Sequence, residues 1–232
     1  MEVVKGLNVF MLSGDGDYLG ASFKDRKQGD SLIACERDGR PIPAGTQIDG
    51  WYYPDDGERD PVLTDIGELG CGITLLLHRP RTDVLRPMLQ QVGNILPMTP
   101  WRGETFEAFI CNMQLDAIDG DHMEYYPEDH PIFYDLIRRY AFKADAVQDA
   151  TVFRVQGMFG HLFATDRFID LVQEHGLTGL KALPLWSSDT GPIGELEDPM
   201  VEMPRFLPGF GTTPDEKRAI MRAILAKRDG HQ

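Results

Sequence analysis

The sequence predicts an α+β fold: mixed or antiparallel sheets with helices packed on one side, arranged as two related β-β-α-β halves. Three observations carry this. Between Thr151 and Trp186 the apolar period switches from two to that of a helix and back. Between Glu107 and Ile118 apolar residues recur at every second position, with Asn112, Gln114 and Asp116 between them. And the segment Asp83–Gly93 echoes Asp166–Gly176: both are eleven residues, begin with Asp, end with Gly, carry Gln at the eighth place, and lead to Leu-Pro and then Trp.

Taken in order, Val3–Leu12 reads as a strand ended by Ser13-Gly14-Asp15-Gly16-Asp17. That loop lacks the Lys-Ser/Thr ending of a phosphate loop and reads as a polar turn. Ala21–Lys24 and Leu32–Cys35 are strand candidates, and Asp38-Gly39-Arg40-Pro41 is a turn. Ile73–Leu77 reads as a buried strand. Asp83–Gly93 then forms a helix with Leu85, Met88, Leu89 and Val92 on one face and Pro87 in its first turn, where an N–H has no intrahelical partner anyway. Ile95–Trp101 is an exit segment. In Glu107–Ile118, Phe109, Cys111, Met113, Leu115 and Ala117 face one way. Pro131 opens a helix with Ile132, Phe133, Leu136, Ile137 and Tyr140 on its apolar stripe.

In the 151–186 module, Val152, Phe153 and Val155 form a strand and His161–Ala164 a second. Phe168, Leu171, Val172 and His175 make a helical stripe. Thr165 or Asp166 stands at the N-cap with its oxygen aimed at free N–H groups, and Gly176 stands at C′. Leu180–Trp186 is the last extended piece. Ser187–Gly211, rich in Pro and Gly, is too long for an ordinary connection. Thr213-Pro214-Asp215-Glu216 is a capping box opening a basic final helix. The organisation expected is an N-terminal β-rich segment (1–60), an α+β region (61–186) and an acidic arm with a C-terminal helix (187–232), together one compact unit of 232 residues.

Hydrophobic residues make up 42% and charged ones 26%, which suits a packed globular core. With 23 Lys+Arg against 37 Asp+Glu the formal charge is -14. That argues against nucleic acid, whose phosphates need cations, and against an anionic membrane surface. It favours solubility and a basic partner. The three cysteines, Cys35, Cys71 and Cys111, show no C-x-x-C spacing for zinc. An odd cysteine count and no signal-like start point to a reduced, cytoplasmic setting. No apolar run approaches a membrane span.

Two kinds of site stand out. Trp51, Tyr52 and Tyr53 run straight into Asp55, Asp56, Glu58 and Asp60. An aromatic cluster beside carboxylates suits an interface facing Arg or Lys; the competing reading buries the aromatics and leaves a solvated acidic loop. A second acidic set, Glu195, Glu197, Asp198 and Glu202, lies in the arm. Asp119-Gly120-Asp121-His122, with Glu124, has the residue types that can hold a divalent ion, against the plainer reading of an acidic turn. Its order fits no EF-hand, zincin or nucleophile elbow. The six histidines share no helix face at ligand spacing. No cofactor, metal or catalytic residue is expected.

Several phrases together resemble a bacterial immunity-protein family of polymorphic and type VI toxin systems, immunity family eleven, long carried as a domain of unknown function. They are Leu63-Thr64-Asp65, the helix near 83–93, Leu115-Asp116-Ala117-Ile118-Asp119, Val152-Phe153-Arg154, Leu162-Phe163 and Leu177-Thr178-Gly179-Leu180. The likeness spans Val62 to Trp186; the first sixty residues and the extension take no part in it. It implies a cytoplasmic protein that grips a cognate basic toxin or effector and is not an enzyme. In that reading the partner-binding residues are Trp51, Tyr53, Asp55, Asp56, Glu58, Asp60, Asp119, Asp121, Glu195, Glu197, Asp198 and Glu202. The alternatives are a metal-dependent enzyme using Asp119, Asp121 and His122, or an acidic cytoplasmic adaptor.

Overall fold

Continuous apolar runs such as Leu75–Leu77 and Ala108–Cys111 require burial on both faces of a strand, and the chain meets that requirement with two six-stranded sheets. The computed structural model describes residues 6–15, 18–37, 40–53, 62–70, 74–125, 137–156 and 161–193. In chain order these give β1 (Asn8–Gly14), β2 (Gly20–Phe23), α1 (Arg26–Arg37), β3 (Gly50–Tyr53), β4 (Ile66–Leu69) and β5 (Thr74–Arg79). A 3-10 turn (Arg81–Leu85) leads into α2 (Arg86–Val92), then β6 (Gly93–Pro97), β7 (Thr105–Cys111), β8 (Gln114–Leu115) and β9 (Glu124–Tyr125). The rest is β10 (Ile137–Arg139), α3 (Ala144–Val147), β11 (Val152–Val155), β12 (Leu162–Thr165), α4 (Asp166–Glu174), β13 (Leu180–Ser187) and β14 (Gly191–Pro192).

The first sheet runs β3-β2-β4-β5-β7-β6 and the second β14-β13-β1-β12-β11-β8. Five strands of each match in order; the sixth, β3 beside β2 in one and β14 beside β13 in the other, lies at opposite ends. β4, β5, α2 and β6 correspond to β11, β12, α4 and β13. In each sheet a further strand, antiparallel to both neighbours, sits between the second and third of these: β7 in one, β1 in the other. A parallel strand flanks each: β2 beside β4, β8 beside β11. Even one corner bond repeats, His78 N–H to Asp65 O in the first and Thr165 N–H to Thr151 O in the second, both 2.9 Å. The echo between the two helical segments therefore lies on matching elements.

Alternation sorts the side chains into three cores. Leu75, Leu77, Phe109 and Cys111 of the first sheet meet Leu12, Val152, Leu162 and Ala164 of the second, with Leu85, Leu89 and Val92 before and along α2 and Phe168, Ile169 and Val172 of α4. The opposite face of the first sheet packs Leu76, Phe106, Ala108 and Ile110 with Ile48, Tyr52 and Leu32. The opposite face of the second packs Val9, Met11, Phe153 and Phe163 under Tyr140, Phe142 and Trp186. At about 25 cal/mol per Å² of apolar surface, these faces supply the main drive to fold.

Four local expectations change. Leu32–Cys35 is helical, not extended: Asp25 Oδ1 accepts the Lys27 N–H (2.9 Å), starting α1, and Leu32 and Cys35, three apart, are both buried. The alternation from 107 to 118 is not one strand. Asn112 and Met113 both donate to Val92 O, and the chain passes there from the first sheet to the second. Ile137 belongs to β10, paired with β9, rather than to a helix; residues 131–136 lie outside the described residues. Thr165 does occupy the N-cap of α4, but its hydroxyl donates back to Ala150 O (2.7 Å) instead of accepting from the helix. Asp166 is taken by Asn8, whose N–H donates to it at 2.6 Å. The C-terminus of α4 is as expected: Gly176 has φ +57, Gly176 N–H reaches Gln173 O and Leu177 N–H reaches Val172 O, a Schellman pair. The Pro/Gly arm beyond 193 and its capping box lie outside the described residues.

Candidate functional site

The aromatic run of β3 divides by the pleat. Tyr52 points into the outer core of the first sheet and is 4% exposed. Its ring lies 5.3 Å from Phe106 and 6.1 Å from Trp101, and its hydroxyl donates to Thr99 O at 2.7 Å. Burial, and secondarily the charge of Asp49, push the phenol up to about 12. Trp51 and Tyr53 point the other way. Trp51 is 59% exposed, the largest exposure among the large hydrophobic residues described. Its ring lies 6.0 Å from that of Tyr53. Tyr53 crosses Gly20, where a Cβ would come within 2.8 Å of the ring. Of the two readings of this run, burial holds for Tyr52 and display holds for Trp51.

Asp49, just before β3, is half exposed and takes Lys24 (3.4 Å) and the Thr99 hydroxyl (3.2 Å). Asp55, Asp56, Glu58 and Asp60 lie outside the described residues, as do Glu195, Glu197, Asp198 and Glu202. Asp119 and Asp121 occupy an exposed turn on the second half, hung from a ladder in which Asp119 N–H donates to Ala141 O and Lys143 N–H to Ala117 O. Asp119 Oδ2 is 2.8 Å from His122 Nδ1, and that imidazole is 74% exposed. Asp121 is exposed beside them. Among the described residues no three His, Cys, Asp or Glu side chains gather as metal ligands. The Asp119–His122 contact is thus a turn-closing pair on the second half, and β3 lies at an edge of the first.

Two distant stretches, around Asp65 and around Thr178, meet between the sheets. Asp65 Oδ2 accepts both the N–H and the hydroxyl of Thr178, each at 3.0 Å, while Ile66 N–H donates to Thr178 O at 2.9 Å. Arg81 lies 3.5 Å from the other Asp65 oxygen. Gly179, at φ +89, runs so close to Thr64 Oγ1 that a side chain has no room. Leu63-Thr64-Asp65 and Leu177-Thr178-Gly179 therefore clasp the two sheets to each other. Asp65 is the residue that sequence reasoning left without a role, since nothing local marks it as the acceptor for a loop 113 positions away.

Two other polar groupings were not foreseen. Glu107, 9% exposed, pairs with Arg86 and, at 3.8 Å, with Arg79, and both arginines also reach Asp83. His161 lies 6.2 Å from Phe163. Burial, and secondarily the nearby Arg154 charge, lower its affinity for a proton.

No known protein-family model matches this chain. No curated protein matches it either. Among the described residues, no helix is long and apolar enough to cross a membrane.

Proposed function

We propose that this chain is a cytoplasmic immunity protein that binds a cognate toxin or effector domain with a basic surface and neutralises it by occupancy, without bond-breaking of its own. The observation that carries this reading is Trp51: a tryptophan 59% exposed on a sheet edge, in a sequence that goes on within nine residues to Asp55, Asp56, Glu58 and Asp60. Large aromatics contribute most when a partner desolvates them, and carboxylates around them select Arg and Lys. The formal charge of -14 adds steering; such fields lift association to ~10⁸–10⁹ M⁻¹s⁻¹ at low salt. The family resemblance supplies the kind of partner. In this reading Asp119, Asp121 and the 195–202 carboxylates extend the acidic field rather than form a centre of chemistry.

The test is co-expression with the product of the adjacent gene, read as rescue of growth and as co-purification. A neighbour that is neither toxic nor bound sinks the reading. Within a complex, D55K/D56K/E58K should slow association about tenfold at low salt and flatten its salt dependence. Unchanged rates would remove that stretch from the interface.

A further inference from the structure

We infer that the outer edge of β3 between Gly50 and Tyr52 is a strand-addition site for an extended, Lys/Arg-rich segment of a protein partner; this rests on the binding function proposed above. The hydrogen-bond parity of the sheet places the open edge. Lys24 N–H donates to Asp49 O (2.9 Å), and in the antiparallel register Ser22 lies opposite Trp51 and Gly20 opposite Tyr53. Bonded pairs recur every second residue, so the backbone groups of Asp49, Trp51 and Tyr53 face β2. Those of Ile48, Gly50 and Tyr52 face outward.

Ile48 already has a partner on that side. Its N–H donates to Pro97 O and its carbonyl accepts from Thr99 N–H, both 2.9 Å, which curls the first sheet almost shut at this corner. The neighbouring chain then leaves. Thr99 O takes the Tyr52 hydroxyl. Trp101 and Glu104 bond each other across a tight turn at Arg102 (φ 49) and Gly103 (φ 88). The outward backbone groups of Gly50 and Tyr52 receive no bond from it. Beside this gap Trp101 packs on Tyr52, and its indole N–H is buried without an acceptor. What this edge lacks is alternating backbone carbonyls and N–H groups, which is what an extended polypeptide offers.

Sheet edges are ordinarily blunted by proline, charge or brevity. β14 carries Pro192 and is two residues long, β8 is two residues long, and β6 ends at Pro97. β3 (Gly-Trp-Tyr-Tyr) has neither proline nor charge, and it exposes Trp51. A second copy of this chain would bring one -14 charge against another. A cationic strand gains from the same field.

The probe is a capped (Lys-Thr)4 peptide titrated into the ¹⁵N-labelled full chain, with (Glu-Thr)4 as the opposite-charge control. The expected result is that (Lys-Thr)4 shifts Gly50–Tyr53 most and slows Gly50 and Tyr52 amide exchange about tenfold or more at saturation. N-methylation of one alternate set of peptide amides should abolish this and of the other set leave it, because one edge of a strand faces β3. W51K, which leaves the ladder to β2 intact, should weaken (Lys-Thr)4 binding roughly tenfold with an unchanged melting temperature. Gly50 and Tyr52 exchange unmoved at saturation, or equal binding by both methylated series, overturns the inference. Concentration-dependent dimerisation that W51K abolishes, with no peptide effect, overturns it too and assigns the edge to a second copy. Peptide binding at 50–52 without neutralisation of the adjacent gene's product keeps the strand-addition site and removes the immunity function. Neutralisation that W51K leaves intact, with no peptide effect, does the reverse.

Discussion

In the first sheet the strand between β5 and β6 is β7, the next strand along the chain; in the second, the strand between β12 and β13 is β1, which meets them from the far end of the sequence, with Val9 opposite Thr165. The faces differ as well. The outer face of the second sheet is packed by stacked and edge-on rings, Phe163 lying within 6 Å of Phe142, Phe153 and Tyr140. The outer face of the first mixes rings with polar atoms: Tyr52 hydroxyl on Thr99, His78 Nε2 2.8 Å from Glu104, and His78 Nδ1 buried without a partner. The comparison teaches that one strand order can be closed locally or remotely, and that the half whose outer face mixes rings with polar atoms is the half that displays Trp51.

The largest effect should come from the remote closure. A chain begun at Gly14 lacks the strand between β12 and β13 and should not fold, with loss of near-ultraviolet circular dichroism. A cooperative melt in that variant would break the equivalence of β1 and β7. Next, Phe163→Ala empties a fully buried ring site and should cost about 3–5 kcal/mol in urea unfolding. Leu76→Ala at the matching position of β5 should cost less, about 2–5 kcal/mol with a smaller cavity. Asp65→Ala strips two hydrogen bonds from Thr178 and should cost about 1–3 kcal/mol; a neutral result would show that apolar packing and the Ile66–Thr178 backbone bond hold the two sheets without them. W51K should move stability by no more than about 0.5 kcal/mol.

The titrations are smaller and of opposite sense. His161 holds its proton less well folded than unfolded, so unfolding takes up protons; stability is full above the unfolded value near 6.5 and falls as pH drops below it. His161→Gln should flatten that slope. Tyr52 keeps its proton longer when folded, so stability is full below pH 10 and falls as pH rises from there toward about 12. Tyr52→Phe should remove that loss. An unaltered slope in either variant assigns the pH dependence to other groups.

Much of the fold could be read from the chain because it is written in local periods. The α4 stripe and the Gly176 stop are set by residues within one turn of where they act; Gly176, Phe168, Leu171 and Val172 are found in place, while His175 is exposed and Ile169 is buried instead. What could not be read depends on distant partners. Apolar residues recur at every second position from Phe109 to Ala117, yet Val92 O captures two N–H groups in the middle of that run and splits it between sheets. Thr165 looks like a cap, yet Ala150 O claims its hydroxyl. For the candidate site, the aromatic run was legible as a run. Which ring faces water was not, because that follows from the register of β3 on β2.

The place of β1 also sets an order of events during synthesis. The ribosome emits this strand before the other elements described, but the two strands that must flank it are completed only when Ser187 has emerged. Every pairing within the first sheet is available once Cys111 is out. The nascent chain should therefore finish one half, carry an unmated leading ribbon through the next seventy or so residues, and zip it home last.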